Sequence, residues 1–142
     1  MPANAAIYIQ RADVDLARVF PKADSDKSLF RKATYYDVDI GGDVVRFNVL
    51  ETARIESHLR GFLGYIDSLD QDPERKRDTA FAIAHTKTVL GLVTDREFEE
   101  NPEIWQSLFR IADAYDGLVF VHDSVLLPSG TVMVGPLLDR DD

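Results

Sequence analysis

Chemistry in this chain has to come from three histidines, five tyrosines and a surplus of carboxylates, because cysteine is absent. Without a thiol there is no disulfide, no thiolate nucleophile and no cysteine-based zinc site. His58, His85 and His122 lie far apart in sequence, and none belongs to an i, i+4 pair or to an HExxH run that would hold zinc on one helix face. Neither a metal nor a cofactor is expected: a Walker loop, a dinucleotide-binding glycine fingerprint and a G-x-S-x-G nucleophile elbow are all missing. His122-Asp123-Ser124 spells the letters of a catalytic triad, but the arrangement is wrong. Neighbouring side chains in a strand alternate faces, whereas a triad needs serine, imidazole and carboxylate in line. The tripeptide reads better as the start of a turn.

Two further motifs fail on context. Gly61-Phe62-Leu63-Gly64 has the letters of the GxxG loop that clamps nucleic acid in KH domains, yet Phe62 and Leu63 belong to an apolar helical stripe. Arg75-Lys76-Arg77 could meet a phosphate, but a short basic run at a helix start usually faces solvent. Many carboxylates are available for general acid–base work, and nothing in the sequence selects a pair, because geometry and environment decide which of them shift.

Charge narrows the partners. The net charge is −9, and the segment from Asp95 to Asp116 carries seven acids against Arg96 and Arg110. Such a field repels nucleic acid and anionic membrane and attracts a basic partner, although it also serves plain solubility. Length and a 45% hydrophobic content suit one folded domain over residues 1–142. Met1 to Gln10 lacks the basic and apolar regions of a secretory signal, and no apolar run approaches the ~18–20 residues of a membrane helix. A cytoplasmic protein is expected.

The elements that must position these side chains can be read from spacing. Ala5 to Gln10 is a short strand, and Asp13 caps a short helix carrying Val14, Leu16, Ala17 and Phe20. Thr34 to Leu50 is a hairpin about Gly41-Gly42, two residues suited to the positive φ of a primed turn. Counting outward sets Tyr36 opposite Phe47 and Val38 opposite Val45 on one face, with Asp37 opposite Arg46 on the other. Thr52 to Leu69 is an amphipathic helix with Ile55, Leu59, Phe62, Leu63, Ile66 and Leu69 on its apolar side. Its other side carries small residues, Ala53, Ser57, Gly61, Gly64 and Ser68, within ~80° at ~100° per residue. Asp72-Pro73 and Asn101-Pro102 start two more helices, the second stopped by Gly117. Strands follow at Thr88 to Val93 and Leu118 to Val121, and a second hairpin surrounds Pro128-Ser129-Gly130. The expected fold is α+β: a mostly antiparallel sheet with helices packed on one face, compatible with a degenerate βαββ duplication.

The runs His85-Thr86-Lys87-Thr88-Val89-Leu90-Gly91-Leu92-Val93, Asp116-Gly117-Leu118-Val119-Phe120 and Ser129-Gly130-Thr131, with Phe98 in the acidic segment between, resemble parts of small uncharacterised bacterial domains. The resemblance covers residues 85–134, consists mainly of fold-forming positions, implies a bacterial cytoplasmic protein and carries over no site.

Two functions compete. The first is a non-enzymatic interaction module, chaperone-like or immunity-like, recognising a basic protein through Glu97, Glu99, Glu100 and Glu103, with Trp105 and Phe109 at the edge of the helix's ~160° apolar arc. In that reading Ala53, Ser57, Gly61, Gly64 and Ser68 lie against another helix, either the one starting at Asp72 or its own copy in a homodimer. The second is a small enzyme or ligand-binding domain with a pocket between sheet and helices, for which His58, His122, Asp123, Tyr35 and Tyr65 are the polar candidates.

Overall fold

In the computed structural model, which describes residues 1–140, the strands are β1 (Ala5–Ile9), β2 (Asp24–Ser25), β3 (Tyr35–Ile40), β4 (Asp43–Val49), β5 (Thr88–Val93), β6 (Leu118–Val121), β7 (Ser124–Leu126) and β8 (Val132–Val134). The helices are α1 (Thr52–Ser68), α2 (Pro73–Ala84), α3 (Pro102–Tyr115) and α4 (Pro136–Arg140). Among the described residues the strands form one antiparallel sheet in the order β2-β3-β4-β5-β1-β6-β7-β8.

The β3–β4 hairpin forms in the register its pattern dictates. Tyr36 faces Phe47, Val38 faces Val45 and Asp37 faces Arg46, about a turn in which Gly41 and Gly42 hold φ of 58° and 90°. The apolar side enters the core, while Arg46 grips Asp37 at 2.8 Å on the other side and lies 3.9 Å from the Tyr35 ring centre. Gly41 is needed for a second reason: a Cβ there would stand 2.6 Å from Asn101 Oδ1.

The α+β class and the antiparallel sheet are as the sequence implies, but the helices cover both faces instead of one. Alternation along β1 explains why. Ile7 and Ile9 point to one face with Phe47, Leu90 and Val119, where α3 contributes Ile104, Leu108 and Ile111. Tyr8 points to the other with Val89 and Leu118, where α1 contributes Ile55, Leu59, Phe62 and Ile66 and α2 contributes Ile83. A central strand apolar on both sides needs a layer on each. Nor is the βαββ unit repeated symmetrically: β5 pairs with the second strand of the first hairpin, and β1 with the first strand of the β6–β7 hairpin.

Three local expectations change. The helix expected from Asp13 is a single 3₁₀ turn, Leu16–Arg18, capped by Asp15, whose carboxylate accepts from Ala17 N at 3.0 Å. Asn101 stands at the start of α3 without capping it; its Nδ2 instead donates to Ile40 O at 2.8 Å and to Asp43 Oδ2 at 2.9 Å, tying α3 to the hairpin turn. At the end of α3 the left-handed residue is Asp116, with φ of 54°, and not Gly117. Gly117 is required by space: a Cβ there would lie 2.9 Å from Ile9 Cγ1 and 3.0 Å from Tyr8 O.

Candidate functional site

The acidic segment sits where the loop before α3 meets the β3–β4 turn. Two of its four glutamates are engaged locally. Glu97 Oε1 accepts from the Met1 amino group at 2.5 Å, while Glu100 accepts from Glu97 N at 2.9 Å and pairs with Arg96 at 3.5 Å. Glu99 and Glu103 are exposed. Near Glu99 is an aromatic cluster: the half-buried Trp105 stacks on the exposed His122 at 5.8 Å and 25°, meets Phe98 edge-on at 5.3 Å, and touches Phe109 at 5.3 Å. His122 and Asp123 form the β6–β7 turn with φ of 50° and 61°, which is what lifts the imidazole onto Trp105.

The small-residue side of α1 does not pack on α2. Ala53, Ser57, Gly61, Gly64 and Ser68 are all exposed, and a Cβ on either glycine would find no atom within 4 Å. The reason is that α2 reaches α1 from its apolar side, where Ile83 joins the cluster of Phe62 and Ile66.

Of the polar groups suggested for a pocket, Tyr65, His122 and Asp123 gather at the β6–β7 turn, while His58 and Tyr35 lie elsewhere. Tyr8 and His58 share a hydrogen bond of 2.8 Å between the phenol oxygen and Nε2, and burial pushes the Tyr8 phenol well above its ordinary range. Tyr65 donates to Asp123 O at 2.6 Å, and Tyr35 lies under Arg46. His85 donates from Nδ1 to Phe81 O at 2.7 Å on the outside of α2. Among the described residues no three of His, Asp and Glu come together as a metal-binding group, and no helix is long and apolar enough to cross a membrane.

A cleft forms elsewhere, at the end of the strands where β3 and β5 begin and β4 ends. It measures about 950 Å³ and lies between residues 12–18, the loop 27–33, the first turns of α1 and the end of α2. Tyr36, Val49, Ile55, Leu59 and Leu90 give it apolar walls. Its charged lining is four cations, Arg18, Lys27, Lys32 and Lys87, and three acids, Asp13, Asp15 and Glu56. Bidentate contact with Arg11 holds the Asp13 carboxyl below the usual range. Tyr36 is pushed upward, first by burial and then by Asp15.

Thr86 is the unusual residue in this lining. It follows α2, is 6% exposed, and donates its backbone N–H to Ile83 O at 3.0 Å, yet its Oγ1 has no hydrogen-bond partner among the described residues. A buried hydroxyl left unpaired costs about 1–3 kcal/mol.

No family model, curated protein or solved structure matches this chain.

Function therefore rests on the geometry of the sites. The structure sets Trp105 against Phe98, Phe109 and His122 with Glu99 near His122, while Glu103 lies toward Gly41 of the hairpin turn; Tyr65 meets Asp123, and His58 and Tyr35 lie elsewhere. Sequence reasoning missed the cleft because its polar lining is drawn from positions between 13 and 87 with no shared spacing; only the adjacency of β1, β4 and β5 assembles it.

Proposed function

We propose that this protein is a ligand-binding domain whose site is the cleft beside Thr86, and that it binds without turning its ligand over. The cleft's lining carries the reading, because apolar walls from Val49, Ile55 and Leu59 meet charged side chains in one concavity, the composition of small-molecule sites. The volume supports it too: about 950 Å³ lies at the upper end of the ~300–1,000 Å³ of small-molecule sites. Binding is favoured over catalysis because the lining acids are already paired and the three histidines lie outside the lining. A cytoplasmic setting belongs to the proposal, supported by the cysteine-free composition. An uncharged fluorescent dye such as Nile red tests the site. Its emission should rise to saturation at one dye per chain. Placing tryptophan at Ala12 or Ala84, exposed positions in the lining, should weaken binding about tenfold (~1.4 kcal/mol) without changing the melting temperature. Binding that ignores both substitutions would refute the assignment.

A second reading keeps the acidic edge as a docking surface for a basic protein, and one observation favours it: Trp105 is only half buried and stacks on the exposed His122, near Glu99. Aromatic anchors with a charged rim are typical of interface hot spots. A lysine-rich peptide should bind with an affinity that falls as salt rises, and Glu99→Lys with Glu103→Lys should remove most of that binding. Binding unaffected by either change would leave those glutamates a solubility role only.

A further inference from the structure

We infer that the cleft's ligand is an amphiphilic anion, with an apolar body lying on Ile55 and Leu59 and one carboxylate or phosphate head held by Lys32, Lys87 and Arg18. The inference rests on the ligand-binding reading and adds the chemistry of the ligand. Charge pairing carries it. In a chain of net charge −9, a cleft with a surplus of cations is unexpected. Every acid in the lining is already matched: Asp13 by Arg11 at 2.8 Å, Asp15 by Lys27 at 3.4 Å and Glu56 by Arg60 at 3.3 Å. Arg18, Lys32 and Lys87 are in no ion pair among the described residues, so the charge left over in the cleft is positive.

The walls define the rest of the ligand. Val49, Ile55 and Leu59 offer hydrocarbon surface and no hydrogen-bonding side chain, so a wholly polar anion would leave them wet. Neither the cations nor the apolar walls alone would select this class; their meeting in one cleft does.

Isothermal titration calorimetry with dodecanoate, dodecyl phosphate, dodecanol and inorganic phosphate, each below its aggregation concentration, tests the inference. At least one ionic amphiphile should bind ten times or more tighter than dodecanol, and whichever of the two binds better identifies the head. Inorganic phosphate should bind at least tenfold more weakly than that amphiphile. Lys32→Ala with Lys87→Ala, both at exposed positions, should lower the ionic amphiphile's affinity about tenfold and leave dodecanol's unchanged. Equal affinities for dodecanol and the ionic amphiphiles, or a lysine variant that binds them like the parent, would overturn the anionic head yet leave the cleft a binding site. Inorganic phosphate matching the amphiphiles would overturn the apolar body. Failure of all four to bind, together with failure of Nile red, would overturn the ligand-binding reading itself.

Discussion

Replacing both Gly61 and Gly64 by alanine should make the protein more stable. The two glycines sit inside the seventeen-residue helix α1, on its exposed side, and a Cβ built on either has open space for 4 Å around. Nothing among the described residues opposes the added methyls, so only helix propensity acts. Alanine is favoured over glycine in a helix interior by about 0.8–1 kcal/mol, giving about 2 kcal/mol for the pair. In a chain of this length that is a rise in melting temperature of roughly 6–8 °C. Thermal unfolding followed by circular dichroism measures the shift, and sedimentation velocity run on the same samples reports the mass. The reasoning fails if the double variant melts lower than the parent. A lower melting temperature with a shift toward lower mass would mean that the small-residue side of α1 is covered by a second copy of the chain, as a homodimer requires. Two methyls would then push apart backbones in close contact.

Gly117→Ala should go the other way, losing about 1–3 kcal/mol, because the new methyl meets Ile9 Cγ1 and the Tyr8 carbonyl of the central strand; a denaturation midpoint equal to the parent's would contradict that packing. Gly42→Val should cost about 1 kcal/mol or more although its Cβ would touch nothing within 4 Å, since a β-branched residue resists a φ of 90°; an unchanged midpoint and slope in urea would argue against the turn. Asp26 should report on acid pH. Its carboxylate accepts from the Thr34 hydroxyl and from the Thr34 and Tyr35 amides, which hold its pKa below the ordinary aspartate value. A depressed carboxylate stabilises the fold in full above its unfolded pKa, near 4, and loses that contribution as pH falls through the folded value. The Thr34 amide resonance should therefore begin to move only below about pH 4; a midpoint at or above that of a free aspartate would refute the bonds.

What the sequence made legible was whatever repeated locally. The β3–β4 register followed from two faces that agreed, with Tyr36, Val38, Val45 and Phe47 on one and the Asp37–Arg46 pair on the other. The stripe of α1 followed because Ile55, Leu59, Phe62 and Ile66 hold one spacing through four turns. The rest depended on partners far away in the chain. Asn101 has the composition of a helix cap and acts instead as a strut to Ile40 and Asp43, some sixty residues earlier. Gly117 sits where a helix stop is expected, but Ile9 and Tyr8 are what exclude a side chain from it. Of the site residues, Trp105 and His122 come together only because α3 and the β6–β7 turn share a face of the sheet, and no spacing in either segment announces the other. Thr86 was visible only as one letter of a strand approach; the isolation of its hydroxyl is a property of the packing around it.

The position of β1 has a consequence for how the chain is made. This strand is central, yet it is the earliest strand in sequence; its neighbours are β5, reached at Thr88, and β6, where Ala5 pairs with Val121. Ribosomes add roughly 5–20 residues per second, so Ile7 and Ile9 wait about 6–20 seconds before both flanking strands exist. Until β5 emerges a strand apolar on both faces has neither hydrogen-bonding edge matched by its final neighbour, and one edge then stays open until β6 follows, which is the condition under which nascent chains attract holding chaperones or associate with one another. The β3–β4 hairpin, with its partners nine or so residues apart, is under no such delay. Synthesis thus presents a formed hairpin beside an unpaired core strand, and the last strands to emerge close the sheet around the first.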